Sequence, residues 1–437
     1  MFYKYFSSLR GKTVGVVGLG VSNRPLAECL AAHGARVTVY DRDETIDPRP
    51  WQEKGISLVL GEHYLDSLRG EVVFRTPGLR PDHGALMRVR ADGGEVSSEM
   101  EVFFALCPAK TIAVTGSDGK TTTSALIAEM LRAETESSGT RVFLGGNIGA
   151  PLLASVPEMT ENDFAVVELS SFQLISMTQS PYAAVVTNIT PNHLDWHTGM
   201  DEYVAAKQRI LDFQHKDGLA VLNADSALAA AMRTRGRRAM FGWDTLTDGK
   251  IGGFLKPEDI LMPGRHNAEN VMAAVAVTAE WVKPETAERV ARTFPGVAHR
   301  NMFVRELDGV AYYNDSIGSS PARTVAGIMS HTRPIVLICG GYDKNLSYEP
   351  LARALPGRVK AVVLMGATAG KIRAAAEKVP GCPPLHGAIC LEEAVQMARA
   401  LAKPGDAVLL SPASASFDMF KNFEERGDAF MRAVNDL

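Results

Sequence analysis

The chain has 437 residues, 46% of them apolar, which suffices for about three domains of roughly 150 residues with a core each and excludes a disordered or fibrous protein. Lysine and arginine total 46 against 50 aspartate and glutamate, so the net charge of −4 gives no global positive field; no nucleic-acid partner is expected, and any anion site is local. The five cysteines are odd in number and form no CxxC pair, there is no secretory h-region, and no run nears the about 18 apolar residues of a membrane span, so a cytoplasmic protein without disulfides or structural zinc is expected.

Three times along the chain a short β-branched apolar run ends in glycine and hands over to a helical pattern, as parallel α/β sheets do at their strand-to-helix turns. The first run, residues 13–20, leads into a helix over 25–33 and a strand over 35–40. The second, residues 111–116, leads through Ser117-Asp118-Gly119-Lys120-Thr121 into a helix reaching about residue 133, and the stretch 134–140 reads as an exposed loop. The third, residues 334–341, is joined by strands over 361–365 and 407–411. Each run starts its own βα series. The expectation is therefore three tandem α/β domains: a Rossmann-like one over 1–107, a phosphate-loop one over 108–296 and a second Rossmann-like one over 297–437.

Gly116-Ser117-Asp118-Gly119-Lys120-Thr121-Thr122 follows a strand and opens a helix, the context a phosphate-binding loop requires. Its glycines let backbone N–H groups turn toward phosphate oxygens, Lys120 reaches the terminal phosphates, and Thr121 can offer a hydroxyl to magnesium. The spacing is tighter than GxxxxGK and marks a variant class. Such a loop needs a carboxylate from a neighbouring strand, and the run over 164–168 ends in Glu168. A further strand over 185–189 runs into Asn192-His193-Leu194-Asp195-Trp196-His197, which fits no common zinc spacing. Taken singly, His193 reads as a hydrogen-bonded loop residue and Lys207 as a surface lysine on a helix over 201–213. Gly18-Leu19-Gly20, with Asp41 closing the next strand, resembles a dinucleotide fingerprint, but Asn23 stands at its third glycine position, so a nucleotide-like ligand fits better there than NAD.

As a set these residues resemble the Mur ligases of bacterial cell-wall synthesis, from about residue 11 to about 430. The shared strings are Gly119-Lys120-Thr121-Thr122, Asn192 to Asp195, Ala206-Lys207, Gly264-Arg265-His266-Asn267 with Asn270, His299-Arg300 and Asn314-Asp315-Ser316. Those nearest the D-glutamate-adding branch are Gly146-Asn147-Ile148-Gly149, Glu168 to Leu174, Gly340 to Lys344, and Ser411 to Asp418 with Lys421-Asn422-Phe423.

The resemblance implies an amide ligase that uses ATP to add D-glutamate to UDP-N-acetylmuramoyl-L-alanine through an acyl phosphate, acting as a monomer. It implies catalytic roles for Lys120, His193 and Lys207, and ATP contacts at Gly116 to Thr122, Asn270, Arg300 and Asp315. Two magnesium ions would be held, one by Thr121 and Glu168, the other by His193 and a carbamylated Lys207. Substrate contacts would come from Gly18, Gly20, Val21, Ser22, Asp41, Thr76, Pro77 and Gly78 on the UDP side. Asn147, Ser170 and His193 would serve the muramoyl side, and Lys344, Ser416 and Phe423 the D-glutamate. Four places depart from the family pattern: Ile317 where many relatives carry lysine, Met302 at an often acidic place, Ser414 for a frequent cysteine, and Arg42-Asp43 after Asp41. Two rivals stand beside this reading: another amino-acid-adding ligase of the superfamily, and a nucleotide-sugar sensor that uses ATP as a switch.

Overall fold

The computed structural model describes every residue of the chain except Ile148, Ala150, Pro263 and Asn345, so Ile148 of the string noted above lies outside the described residues. The described strands form three sheets. The first holds β1 (Thr13–Val17), β2 (Arg36–Asp41), β3 (Ser57–Leu60), β4 (Val72–Phe74) and β5 (Glu95–Ser97), in the order β3-β2-β1-β4-β5. The second holds β6 (Lys110–Thr115), β7 (Val142–Gly146), β8 (Phe164–Glu168), β9 (Ala183–Val186), β10 (Leu219–Asn223) and β11 (Arg237–Phe241), in the order β11-β10-β9-β6-β8-β7. The third holds β12 (Met302–Leu307), β13 (Val310–Asn314), β14 (Ile335–Cys339), β15 (Val359–Leu364), β16 (Leu385–Gly387) and β17 (Ala407–Leu410), in the order β12-β13-β17-β14-β15-β16.

Only β12 runs antiparallel, against β13; the other described pairs are parallel. That is why β9, β14 and β17, and β8 up to its closing Glu168, are continuous apolar runs, buried throughout, rather than alternating ones: helices cover both faces of a parallel sheet. The chain divides into two compact units, Met1–Pro257 with Glu269–Val290, and Glu258–Ala268 with Ala291–Leu437. The first carries two sheets and one apolar cluster that spans both, in which Met100, Phe103 and Leu106 of the helix Glu99–Leu106 join Leu152, Leu153 and Val156. The second carries the third sheet, with one apolar cluster on each face. No helix among the described residues is long and apolar enough to cross a membrane.

Sheet order decides where ligands can sit. In an open α/β sheet the crevice lies outside the carboxyl ends of the strands where the winding reverses. In the first sheet that point is between β1 and β4, paired through Val16 and Phe74, so the turns at Gly18 and Thr76 are brought side by side. In the second it is around β6, flanked by β8 and β9. In the third it is around β14 and β17.

The helix after β1 begins at Asn23, two residues before the expected start. Asn23 explains the shift: its buried Nδ2 donates to the Val17 carbonyl at 2.9 Å, closing the turn that a third glycine would otherwise form. The phosphate-loop helix runs to Thr135, and the exposed part of the expected loop is the tip over 136–139.

Candidate active site

Gly116 to Gly119 link β6 to the helix Lys120–Thr135. Gly116 and Gly119 have φ of 149° and 80°, and a Cβ on them would collide with the side chains of Thr187 and Asn270 respectively, so only glycine fits. The loop is braced by side chains following β9: Asp118 N donates to Asn188 Oδ1 (2.9 Å), Thr187 Oγ1 to the Asp118 carbonyl (2.6 Å), and Ser117 Oγ to the Thr190 carbonyl (2.9 Å). Lys120 Nζ arches over the loop to the carbonyls of Gly116 (3.0 Å) and Ser117 (2.9 Å), placing its charge at the helix N-terminus. Thr121 Oγ1 donates to Glu168 Oε2 at 2.7 Å, and Asn147 Nδ2 donates to Glu168 Oε1 at 2.9 Å. Asn270, buried, accepts from Thr123 Oγ1 at 3.2 Å beside Gly119. Thus Thr121, Asn147, Glu168 and Asn270, read from four separate strings, gather at one strand edge; Thr122 follows on the same first turn.

Lys207 is no surface lysine. On the helix Met200–Asp212 it is 1% exposed, with Nζ donating to the Gly116 carbonyl (2.8 Å) and Thr115 Oγ1 (3.3 Å) over the Tyr203 ring. Burial, reinforced by the nearby Lys120 charge, holds its amine well below the usual lysine range. His193 is exposed, edge-on to Phe172, and its φ of 54° puts a non-glycine residue in the left-handed region. Burial of part of its ring, with Lys120 next in effect, lowers its pKa and favours the neutral imidazole that a metal ligand needs. Ser170 is engaged by the protein itself: it caps the helix Ser171–Leu174 in a reciprocal capping box with Gln173.

In the first sheet, Asp41 Oδ2 accepts from Leu19 N at 2.6 Å, so this carboxylate closes the Gly18 to Gly20 turn. Val21 is 71% exposed just beyond it, Ser22 precedes the helix Asn23–Ala32, and Thr76 lies against Gly18. The loop Thr76-Pro77-Gly78 is held to the second sheet's loops, with Trp196 Nε1 donating to the Gly78 carbonyl at 2.9 Å. Sequence reading gave no role to the residues that do this: Arg75, Arg80, Glu202 and His197, the last noted only as the end of the polar cluster after β9. An arginine ending the apolar run of β4 was their one local signal.

The second unit gathers its own set. Arg300 sits between two left-handed residues, His299 (φ 59°) and Asn301 (φ 43°), a costly local conformation of the kind that clusters at functional sites. Asp315 is buried, accepting from Asn301 N (3.1 Å) and Ser411 Oγ (2.7 Å), and burial pushes its carboxyl up to about 6. Ser316 Oγ donates to the Phe423 carbonyl at 2.7 Å, while the buried Arg426 binds Ser316 and the carbonyls of Ser414 and Ala415. Ser416 is buried, Phe423 half-buried and edge-on to His299, and Lys344 exposed. Ser414, the substitute for a frequent cysteine, bonds Tyr348 (2.9 Å) and Thr368 (2.8 Å) in the interior.

A phosphate loop with a threonine–glutamate pair, a buried lysine at its back and a separate Rossmann-like unit is the arrangement of a Mur-type ligase. The Mur ligase middle domain matches residues 114–278, and the Mur ligase glutamate ligase domain residues 299–414. The chain belongs to the Mur ligase family. Among its relatives, a UDP-N-acetylmuramoylalanine--D-glutamate ligase from Clostridium novyi is 43% identical over 100% of this chain and 99% of its own length. Another of the same name, from Acetivibrio thermocellus, is 44% identical over 98% and 97%. Among solved structures, a UDP-N-acetylmuramate-alanine ligase from Thermotoga maritima aligns over 97% of this chain and 99% of its own, with a TM-score of 0.56 and 18% identity. A UDP-N-acetylmuramoylalanyl-D-glutamyl-2,6-diaminopimelate--D-alanyl-D-alanyl ligase from Acinetobacter baumannii gives a TM-score of 0.54 at 15% identity, over 100% and 98%. These last two share the fold.

Proposed function

We propose that the chain is an ATP-dependent, ADP-forming ligase that adds D-glutamate to UDP-N-acetylmuramoyl-L-alanine, a step in making the peptidoglycan precursor in the cytoplasm. The observation that carries this reading is the constellation of Lys120 with the buried Thr121, Glu168 and Lys207 around one loop, in a chain whose full-length relatives bear that name.

A carboxylate is a poor electrophile. Its attack on the γ-phosphorus of ATP, with ADP leaving, gives an acyl phosphate; the amine of D-glutamate then adds to the acyl carbon, and phosphate departs as the amide forms. Lys120 and the loop N–H groups stabilise charge on the transferred phosphoryl group. Asn270, Arg300 and Asp315 are proposed for ATP, and Lys344, Ser416 and Phe423 for D-glutamate. Gly18, Gly20, Val21, Ser22, Asp41, Thr76, Pro77 and Gly78 are proposed for the UDP moiety, with Asn147, Ser170 and His193 toward the muramoyl side.

The donor set suits magnesium. Thr121 and Glu168 present hard oxygens 2.7 Å apart, the donor type of an ion that takes one or two protein ligands beside phosphate and water. Bound there, magnesium would neutralise developing charge on the phosphates. His193 and a carbamylated Lys207 are proposed for a second ion.

The test is phosphate release with UDP-N-acetylmuramoyl-L-alanine as acceptor and a panel of amino acids as donors. D-glutamate alone should support turnover, with amide formed in step with phosphate. ATP hydrolysis that ignores both partners would favour a switch protein, and preference for another amino acid would move the chain to a different branch.

A further inference from the structure

Arg75 has no task in the reading above. It follows Val72–Phe74, is 1% exposed, and directs its donors to two segments. Nη1 donates to the carbonyls of Thr76 (3.4 Å), Pro77 (3.3 Å) and Leu79 (3.1 Å). Nη2 donates to the Phe172 carbonyl (3.0 Å) and Ser176 Oγ (2.8 Å). Nε has no partner among the described residues. The first three acceptors form the loop that follows β4; the other two belong to the segment that starts two residues after Glu168.

Every one of these acceptors is a neutral oxygen. The Glu101 carboxylate acts on the guanidinium only through space and offsets part of the desolvation, so the burial remains costly, and an apolar side chain would fill the strand end without that cost. Burial lowers the guanidinium to about 10, still protonated at neutral pH. What a planar, multi-donor group does that no apolar residue can is grip the backbones of two segments at once. Arg80 ties the loop's other flank by a different means, through carboxylates and the Trp196 carbonyl. It pairs with both oxygens of Glu202 (2.8 and 3.0 Å), Glu202 Oε2 lies 3.1 Å from His197 Nδ1, and His197 Nε2 lies 2.9 Å from Ser171 Oγ. Both flanks of the Thr76 to Leu79 loop are thus tied to the short helix Ser171–Leu174.

We infer that Arg75 is a positioning residue: it locks the Thr76-Pro77-Gly78 loop to the segment from Phe172 to Ser176, just after Glu168, so that an acceptor held by the first sheet presents its carboxylate to the phosphate loop in a single register. The inference rests on the ligase reading and adds to it a residue that touches neither substrate nor ATP.

Arg75→Lys keeps the charge but cannot span both segments, and Ser176→Ala removes one acceptor while leaving the charge in place. Arg75→Lys is expected to raise KM for UDP-N-acetylmuramoyl-L-alanine and lower kcat, each about tenfold, with KM for ATP within about twofold of wild type. Ser176→Ala should shift the same parameters less, and the double variant should be no worse than Arg75→Lys, because the two share one bond. Amide hydrogen exchange over 76–80 and 172–176 should rise in both. Loss of thermal stability without separation of the two KM values, or unchanged exchange, overturns the inference. If Arg75→Lys does not fold, Ser176→Ala decides by the same measures. Wild-type enzyme that fails to bind UDP-N-acetylmuramoyl-L-alanine in a calorimeter overturns the ligase reading instead, and exchange alone then decides the clamp.

Discussion

The hydroxyl of Thr121 donates to Glu168 Oε2 at 2.7 Å, joining the first turn of the phosphate-loop helix to the end of β8. These are the two oxygens proposed for magnesium, and Asn147 on the other carboxylate oxygen fixes the orientation of Glu168. Glu168→Gln keeps the shape and an oxygen for Thr121 but removes the charge. It is expected to lower kcat by about 10²–10³ and to raise the magnesium concentration needed for half-maximal rate. Titrating turnover against magnesium checks this, and an unchanged profile would remove Glu168 from the site.

In the proposed reading Lys120 serves ATP, whereas the loops after β1 and β4 serve the UDP substrate. Lys120→Ala should bring phosphate release below about 1% of wild type by withdrawing charge stabilisation from the transferred group. Its affinity for UDP-N-acetylmuramoyl-L-alanine should stay within about twofold. Calorimetric titration separates the two effects; a variant that loses both would mean that Lys120 organises the acceptor as well.

What could be read in the sequence was local. The phosphate loop, Glu168 and the Lys207 helix each announce themselves within a few residues, because a strand, a glycine turn and a helix start must be contiguous. The clamps were not legible: Arg75 meets Ser176 across 101 residues and Arg80 meets Glu202 across 122, and nothing in either segment names its partner. Asn23 shows the same limit in miniature. By motif it is a missing glycine; in three dimensions its side chain makes the bond that closes the turn. Lys207 was singled out only through the family pattern, and its burial beside the loop was not legible, since helical spacing alone cannot tell a buried lysine from a solvated one. Nothing in the structure explains Ile317, whose backbone N–H bonds the His299 carbonyl.

Glu99, away from the phosphate loop, sets a pH dependence of stability. It is 4% exposed, accepts from Leu153 N at 3.3 Å, and burial raises its carboxyl from 4.5 to about 7. Below 4.5 both folded and unfolded chains hold the proton and stability is full. Above it the unfolded chain releases the proton first, so stability falls as pH rises through about 7. Glu99→Gln keeps an oxygen for Leu153 and removes the titration. The variant should melt near wild type at pH 5 and higher at pH 8, by an amount corresponding to roughly 2–3 kcal/mol. Equal differences at both pH values would show that Glu99 does not titrate in this range.

Lys207 is the harder case, because a buried cation beside Lys120 would repel magnesium. Its amine, packed on Tyr203 and bonded to the Gly116 carbonyl, is held by burial well below the ordinary lysine value, which raises the share of the neutral nucleophilic form. A neutral amine can attack carbon dioxide: the N–C bond forms, a proton leaves, and the product is an anionic oxygen donor of the kind magnesium prefers. Lys207→Ala is therefore expected to lose at least about 10² in kcat, and short carboxylic acids should restore part of it by placing an anionic oxygen where the carbamate stood. Enzyme stripped of carbon dioxide should lose activity and regain it on adding bicarbonate, with isotope-labelled carbonate giving a carbamate signal by NMR. A lysine that merely ties the helix to the loop would give a different pattern: thermal stability would fall in Lys207→Ala, neither carboxylic acids nor bicarbonate would change the rate, and no carbamate signal would be seen.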